Sequence, residues 1–185
     1  MGFAFVGAII GGFIALVFLA KKFRMSPLLM LDAASPAAAI GYGIGRIGCL
    51  ISGDGDYGRP TNLPWGMAFP NGIVPTTESC VEWGAPANCR VHPTPIYEFL
   101  VAIIIFYILW RLGERVIKKH APDGIIFAAY LVLTGGARFL VEIIRINPRS
   151  FFGMTNAQAA SVVSVLAGIA LFFYSSKAPA QKVRA

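Results

Sequence analysis

The stretch GYGIGRIGCLISGDGDYG, Gly41 to Gly58, decides between two folds. Its core, Gly43-Ile44-Gly45-Arg46-Ile47-Gly48, spells GxGxxG. Between a strand and an amphipathic helix, inside a βαβ unit, that spacing cradles a dinucleotide pyrophosphate. Here the residues before it, Ala34–Ile40, are helix-like, and a polar loop follows. The other reading is a membrane helix, in which repeated small residues mark close packing against a neighbour. Gly7 and Gly11, four apart, read the same way.

Composition selects the membrane. Of 185 residues, 56% are hydrophobic and only 14% charged, whereas soluble domains average about 45–50% apolar and about 25% charged. A bilayer-crossing helix needs about 20 mostly apolar residues. Five segments answer to that: Gly2–Ala20, Leu29–Ile51, Ile96–Trp110, Gly124–Ile144 and Asn156–Tyr174. Leu29–Ile51 is the weakest, rich in Ala and Gly and holding Asp32 and Arg46. Tyr97 and Trp110 flank the third segment as interfacial aromatics do. The first segment has no basic residues ahead of its apolar core, and Lys21, Lys22 and Arg24 follow it, so it reads as a span rather than a signal peptide. The expected fold is an all-α membrane protein: one integral domain over 1–185, a bundle of about five transmembrane helices, with a small periplasmic loop subdomain at 52–95.

Charge sets the orientation. The turn Lys21–Arg24, the stretch Arg111–Lys119 and the tail Lys177–Arg184 carry three, four and three of the sixteen Lys and Arg residues. With five alternating spans all three lie on one side, and the positive-inside rule makes it cytoplasmic. The N-terminus, the loop from Ser52 to Pro95 and the loop Asn147–Thr155 then face the periplasm, and the C-terminus the cytoplasm. The net charge of +7 is a topology signal with attraction to anionic lipid. The basic residues are not interleaved with aromatics on one surface, so no nucleic-acid partner is expected. Cys80 and Cys89 share the outward loop, where an oxidising compartment permits a disulfide. Spacing leaves their pairing open. Cys49 reads as a small buried hydrophobe.

Arginine at membrane depth is rare and faces a bundle interior or a wet cavity. Arg46 is one case. Arg138, in LTGGARFLVEIIR, is a second, with Glu142 at i+4 on the same helix face and Arg145 three residues beyond. One reading is an ion-paired packing device. The other is a phosphate clamp: a guanidinium fork matches phosphate oxygens and stays charged at any relevant pH. Both arginines lie toward the outward ends of their spans, at headgroup depth, which points to a phospholipid. In the loop, Asp54-Gly55-Asp56 leaves a calcium-loop pattern incomplete, so no metal is expected. NLPWGMAFP, with Trp65, Met67 and Phe69 alternating, suits a short strand or an interfacial flap. His92 titrates near neutrality and shares the aqueous face with the arginines, although a lone histidine is more often a structural hydrogen-bonder. His120, among basic residues, is solvated.

GRIGCLISGDGDYGRPTNLPWGMAFP, then HPTPIYE, then GARFLVEIIR, in that order and separated by spans, resembles the prolipoprotein diacylglyceryl transferase family. The likeness runs from near Phe5 to about Phe173. It implies a bacterial inner-membrane enzyme without a cofactor. Such an enzyme transfers the diacylglyceryl group of phosphatidylglycerol onto the lipobox cysteine in a prolipoprotein signal peptide, and glycerol phosphate leaves. On that resemblance Arg46 and Arg138 hold the phosphate or the leaving group. Glu142 orients Arg138. Asp54 stands near the family's acidic position, and Tyr97 and Glu98 match its Tyr-Glu pair beside the lipid. Gly45, Gly48, Gly53 and Gly58 let headgroup and peptide approach the backbone. The chain departs from the family pattern in several places. It begins about a third of the way in, as a fragment or a shortened relative. Phe5-Val6-Gly7-Ala8 stands where members carry Phe-His-Gly-Gly. Cys49 replaces an asparagine, and Ser52-Gly53-Asp54 replaces Asn-Gly-Glu with one extra residue before Gly58. The general base is therefore open among His92, Asp54 and Asp56. The alternative function is a non-catalytic phospholipid-binding subunit, or a relative acting on a different acceptor.

Overall fold

The computed structural model describes residues 2–145 and 153–177, without the side chains of residues 2–10 and 13. Most of the expected Asn147–Thr155 loop and of the Lys177–Arg184 tail therefore lies outside the described residues, as do the side chains of Phe5, Val6 and Ala8. The helices are α1 (Gly2–Lys22), α2 (Pro27–Ser52), α3 (Thr76–Glu82), α4 (Thr94–Lys118), α5 (Ile125–Ile144) and α6 (Asn156–Ser176). Among the described residues, α2, α4, α5 and α6 are long and apolar enough to cross a membrane, and α1 has 21 residues. The fold is an all-α membrane bundle.

One expected span differs clearly in length. The third was expected to end at Trp110, but α4 continues through Arg111–Lys118. Good helix formers, Arg111, Leu112, Glu114, Arg115 and Lys118, carry the helix beyond the apolar run despite Gly113. Arg115 and Lys118 also face the negative end of the helix dipole. The loop holds a seven-residue helix, α3, that hydropathy does not mark. NLPWGMAFP, read as a short strand or an interfacial flap, forms no named strand: Met67, within it, and Pro60, just before it, each make an isolated bridge with Val91.

α2 lies along α4 and α5 along α6; the two pairs join through α4–α5 and α2–α5, while α1 rests against α2. A buried cluster of Ala39, Ile105, Leu109 and Ile126 knits α2, α4 and α5 together. Large apolar side chains such as Ile44, Ile104, Leu140, Leu166 and Phe173 point outward. In water that surface would be untenable; in a bilayer it is solvated by acyl chains.

Close helix crossing uses only the first glycine of the GxGxxG motif. A Cβ at Gly43 would lie 2.8 Å from the Cβ of Ala102, so α2 and α4 meet there almost backbone to backbone. Gly45 and Gly48, by contrast, have no heavy atom of another described residue against them.

Asp32, the acid that weakened the second span, has a structural task. It is buried, its Oδ2 accepts from the Gly124 amide at 2.6 Å and its Oδ1 from the Phe127 amide at 2.7 Å. The first amides of a helix lack intrahelical partners, and Gly124 brings α5 no side-chain cap of its own. α2 therefore supplies the cap from outside. At the other end of the bundle, Thr155 and Gln158 form a capping box that starts α6.

The loop between α2 and α4 has its own small core. Tyr57 stacks on Phe69 at 4.6 Å beside Cys80 and Val91. Cys80 and Cys89 are joined as a disulfide, which resolves the pairing that spacing left open. Backbone hydrogen bonds pin this loop to the bundle: Gly58 donates to the His92 carbonyl and Arg59 to the Ile144 carbonyl, each at 2.9 Å. A side chain at Gly58 would strike His92 and the Ile144 carbonyl, so this glycine permits the seam.

Candidate active site

The site forms where the ends of three helices, α2, α4 and α5, meet under the loop. Arg46 comes six residues before the end of α2, Glu98 in the second turn of α4, and Arg138 and Glu142 in the last two turns of α5. The end of α2 and the start of α4, joined by the long loop, and the end of α5 thus lie at one level of the bundle.

Glu98 is the hub. Its Oε1 accepts from Arg138 at 2.9 Å and from the Tyr42 hydroxyl at 2.6 Å. Its Oε2 lies 3.3 Å from Arg46 Nε and 3.5 Å from Arg145. A side chain 3% exposed thus ties three guanidinium groups together. Arg138 reaches Glu142 at 2.8 Å, the i,i+4 pair expected from spacing. Asp56 bridges the remaining gap, pairing with Arg46 through Oδ2 and with Arg145 through Oδ1. Burial alone would raise the Asp56 pKa, but Arg145 and then Arg46 hold it below the usual carboxylate range. The Arg46 guanidinium also covers the Tyr42 ring at 4.8 Å.

Below this cluster a cavity of about 480 Å³ runs into the bundle. Arg46, Glu98 and Arg138 line one end; Ala39, Ile105 and Tyr130 line the other. Ala39 and Arg46 are seven residues apart, so the cavity extends about 10 Å along α2 at ~1.5 Å per residue. It is charged at the loop end and apolar along its length, the profile of a lipid rather than of a soluble anion.

Arg46, Arg138, Glu98 and Glu142 are thus brought together. Asp54 stands one step back: its Oδ1 accepts from the Asp56 amide at 3.3 Å, shaping the turn that presents Asp56. Gly53 closes α2 in the left-handed region, φ 60°, where a side chain would be strained. His92 and Tyr97 form a separate chain. Trp65 Nε1 donates to the Tyr97 hydroxyl at 2.8 Å, and that hydroxyl lies 3.1 Å from His92 Nδ1. His92 is not among the residues that line the arginine cavity. Cys49 lies beside Arg46, with 3.9 Å between nitrogen and sulfur, and so is a neighbour of the site. Cys49, Asp54 and Asp56 bring potential ligand atoms within 4.8 Å of one another. Two guanidinium groups already occupy Asp56, and their charge repels a cation, so these residues suit a metal poorly.

Tyr42 escaped the sequence reading, and Asp56 was named there only as one of three candidate bases. Tyr42 sits at i−4 from Arg46, a helical spacing that marks a shared face. Asp56 lies in GDGDYG, where spacing does not rank one acid above the other.

A family model described as prolipoprotein diacylglyceryl transferase matches residues 1–174. The chain belongs to the prolipoprotein diacylglyceryl transferase family. Among relatives named phosphatidylglycerol–prolipoprotein diacylglyceryl transferase, that of Clostridium tetani is 35% identical over 173 residues, 92% of this chain and 63% of the relative. That of Nitrosomonas europaea is 31% identical over 180 residues, 94% of this chain and 58% of the relative. That of Chromohalobacter salexigens is 32% identical over 189 residues, 99% and 64%. The chain thus spans 58% to 64% of the length of these prolipoprotein diacylglyceryl transferases. Family membership and the apolar helices together make it a multi-pass membrane protein.

Proposed function

We propose that this chain carries the site of diacylglyceryl transfer from phosphatidylglycerol to the lipobox cysteine of a prolipoprotein signal peptide. The observation that supports it most is the convergence of Arg46 and Arg138 on Glu98 at the charged end of an otherwise apolar cavity. A phosphodiester headgroup suits the guanidinium end and acyl chain suits the rest. The relatives are named phosphatidylglycerol–prolipoprotein diacylglyceryl transferases, and that name supplies the reaction.

The chemistry makes two demands. The acceptor thiol must lose its proton, since thiolate is the nucleophile. The departing glycerol phosphate must be stabilised as its second charge develops. Arg46 and Arg138 serve the second demand, as preorganised positive charge in a poorly hydrated site. Glu98, Tyr42 and Glu142 fix their orientation. Gly45 and Gly48, open on their face of α2, leave room for a peptide or headgroup. Gly53 and Gly58 shape the loop above, and the Tyr97–His92–Trp65 chain holds its rim. On this reading the enzyme works in the bacterial inner membrane, as the resemblance implies. The positive-inside rule puts the N-terminus and the loop subdomain in the periplasm and the C-terminus in the cytoplasm, with the clamp at the outer-leaflet headgroup level.

Transfer of labelled diacylglyceryl from phosphatidylglycerol to a lipobox peptide in proteoliposomes tests the reading. Arg46→Ala and Arg138→Ala should each lower the rate by about 10²-fold or more. Full activity in both variants sinks the clamp. Lipid binding with no transfer by the unaltered chain favours the non-catalytic subunit instead. A normal rate for His92→Ala removes His92 from the proton transfer.

A further inference from the structure

The cluster around Glu98 holds three guanidinium groups, from Arg46, Arg138 and Arg145, and three carboxylates, from Glu98, Asp56 and Glu142. Its formal charge cancels. A phosphodiester that enters must therefore displace an acid or stay unpaired, and an unpaired charge in a poorly hydrated site is costly.

The three acids differ in how easily they yield. The Glu98 and Glu142 side chains are 3% and 0% exposed and are carried by helices. Asp56 is 28% exposed and projects from the turn between α2 and the loop. Its backbone is anchored, with Thr94 donating to its carbonyl at 2.6 Å and Asp54 accepting from its amide, so its short side chain can swing while the turn stays. Its two oxygens divide between Arg46 and Arg145. That is the pattern in which the two free oxygens of a phosphodiester would meet the same pair.

We propose that Asp56 is a lipid-gated general base, whose carboxylate holds the place of the phosphate between Arg46 and Arg145 and, once the lipid displaces it, takes the proton of the acceptor thiol. The inference rests on the transfer reaction proposed above. Tied to two arginines, a carboxylate is a poor base; released from them on its partly exposed turn, it is a better one. The proton passes from sulfur to an Asp56 oxygen, and the thiolate pair forms the C–S bond to the carbon of the diacylglyceryl group that carries the phosphate ester. The C–O bond breaks and its electron pair leaves on glycerol phosphate. The new negative charge falls to the guanidinium groups that Asp56 vacated. Asp56 then gives its proton to water and returns to them. The coupling keeps the base masked until the donor lipid is in place, and it fills the role left open by Phe5-Val6-Gly7-Ala8.

The experiment compares the full chain with Asp56→Asn, Asp56→Glu and Arg46→Ala. Phosphatidylglycerol affinity is read in nanodiscs against a phosphatidylcholine background, and single-turnover transfer to a lipobox peptide is read at saturating lipid. Asp56→Asn should bind phosphatidylglycerol several-fold more tightly yet transfer about 10²-fold more slowly or worse, with partial recovery in Asp56→Glu. In the unaltered chain, carbodiimide labelling of Asp56 should rise when phosphatidylglycerol is added. Weaker binding by Asp56→Asn, or labelling that lipid leaves unchanged, overturns the place-holding role. Tighter binding with undiminished transfer overturns the base. If Arg46→Ala binds the lipid as well as the unaltered chain, the phosphate clamp itself fails, which is a distinguishable result.

Discussion

Arg46 and Arg138, on helices far apart in the chain, meet on opposite oxygens of one carboxylate, that of Glu98. The arrangement makes Glu98 the keystone of the clamp. Glu98→Gln keeps the shape but removes the charge, leaving guanidinium groups without their shared counter-ion. Breaking a buried ion pair on one side costs about 3–5 kcal/mol. The variant should lose that much stability against chemical unfolding in detergent, and should bind phosphatidylglycerol without the orientation that transfer requires. A wild-type unfolding midpoint for Glu98→Gln would show that the pairs are held by the helices alone.

Acid should loosen the same cluster through Asp56. Its pKa lies below the ordinary value of 3.8 in the folded chain. The folded state therefore binds fewer protons than the unfolded state near that pH. The stabilisation is fully present above 3.8 and is lost as pH falls through the lower folded value. Melting temperatures in detergent should be insensitive to Asp56 from neutrality down to about pH 5. Below that the unaltered chain should lose more than Asp56→Asn. Parallel curves for the two proteins would rule out a contribution from this carboxylate.

Legibility in the sequence followed the range of the interaction. The spans could be read because crossing a bilayer demands a continuous apolar run, a local property. The pairing of Arg138 with Glu142 could be read because helical spacing brings i and i+4 together. Glu98 was marked by resemblance, but its grip on Arg46 was not visible, since hydropathy does not say which helix faces which. The loop was legible in a different way. Resemblance set Asp54 near the family's acidic position and left the base open among His92, Asp54 and Asp56; an Asx turn directs Asp54 to the backbone amide of Asp56 and leaves Asp56 facing the arginines. Turn geometry, not residue type, chose between them.

The glycines of GxGxxG make separate predictions. Gly43 faces Ala102 across the α2–α4 crossing, where an added Cβ would come within 2.8 Å. Gly43→Val should destabilise the bundle by about 1–3 kcal/mol through overpacking, and Ala102→Gly should recover part of it. Gly45→Val enlarges a position with open space around it, so its effect on unfolding should be small. Equal losses at both positions would mean that Gly45 also lies in a contact.

At the opposite end of the bundle, Asp32 tests whether α2 caps α5. Its two oxygens accept from the amides of Gly124 and Phe127. Asp32→Ala leaves both donors without this partner in an apolar setting, at a cost of about 1–3 kcal/mol for each buried unsatisfied group. Asp32→Asn retains one acceptor oxygen and should lie between Ala and the unaltered chain. Hydrogen exchange separates this from a general loss of stability: the Gly124 and Phe127 amides should lose protection first in Asp32→Ala, while amides in the middle of α5 stay protected. Exchange that rises uniformly along α5 would mean that Asp32 acts on the bundle as a whole and not on the helix end.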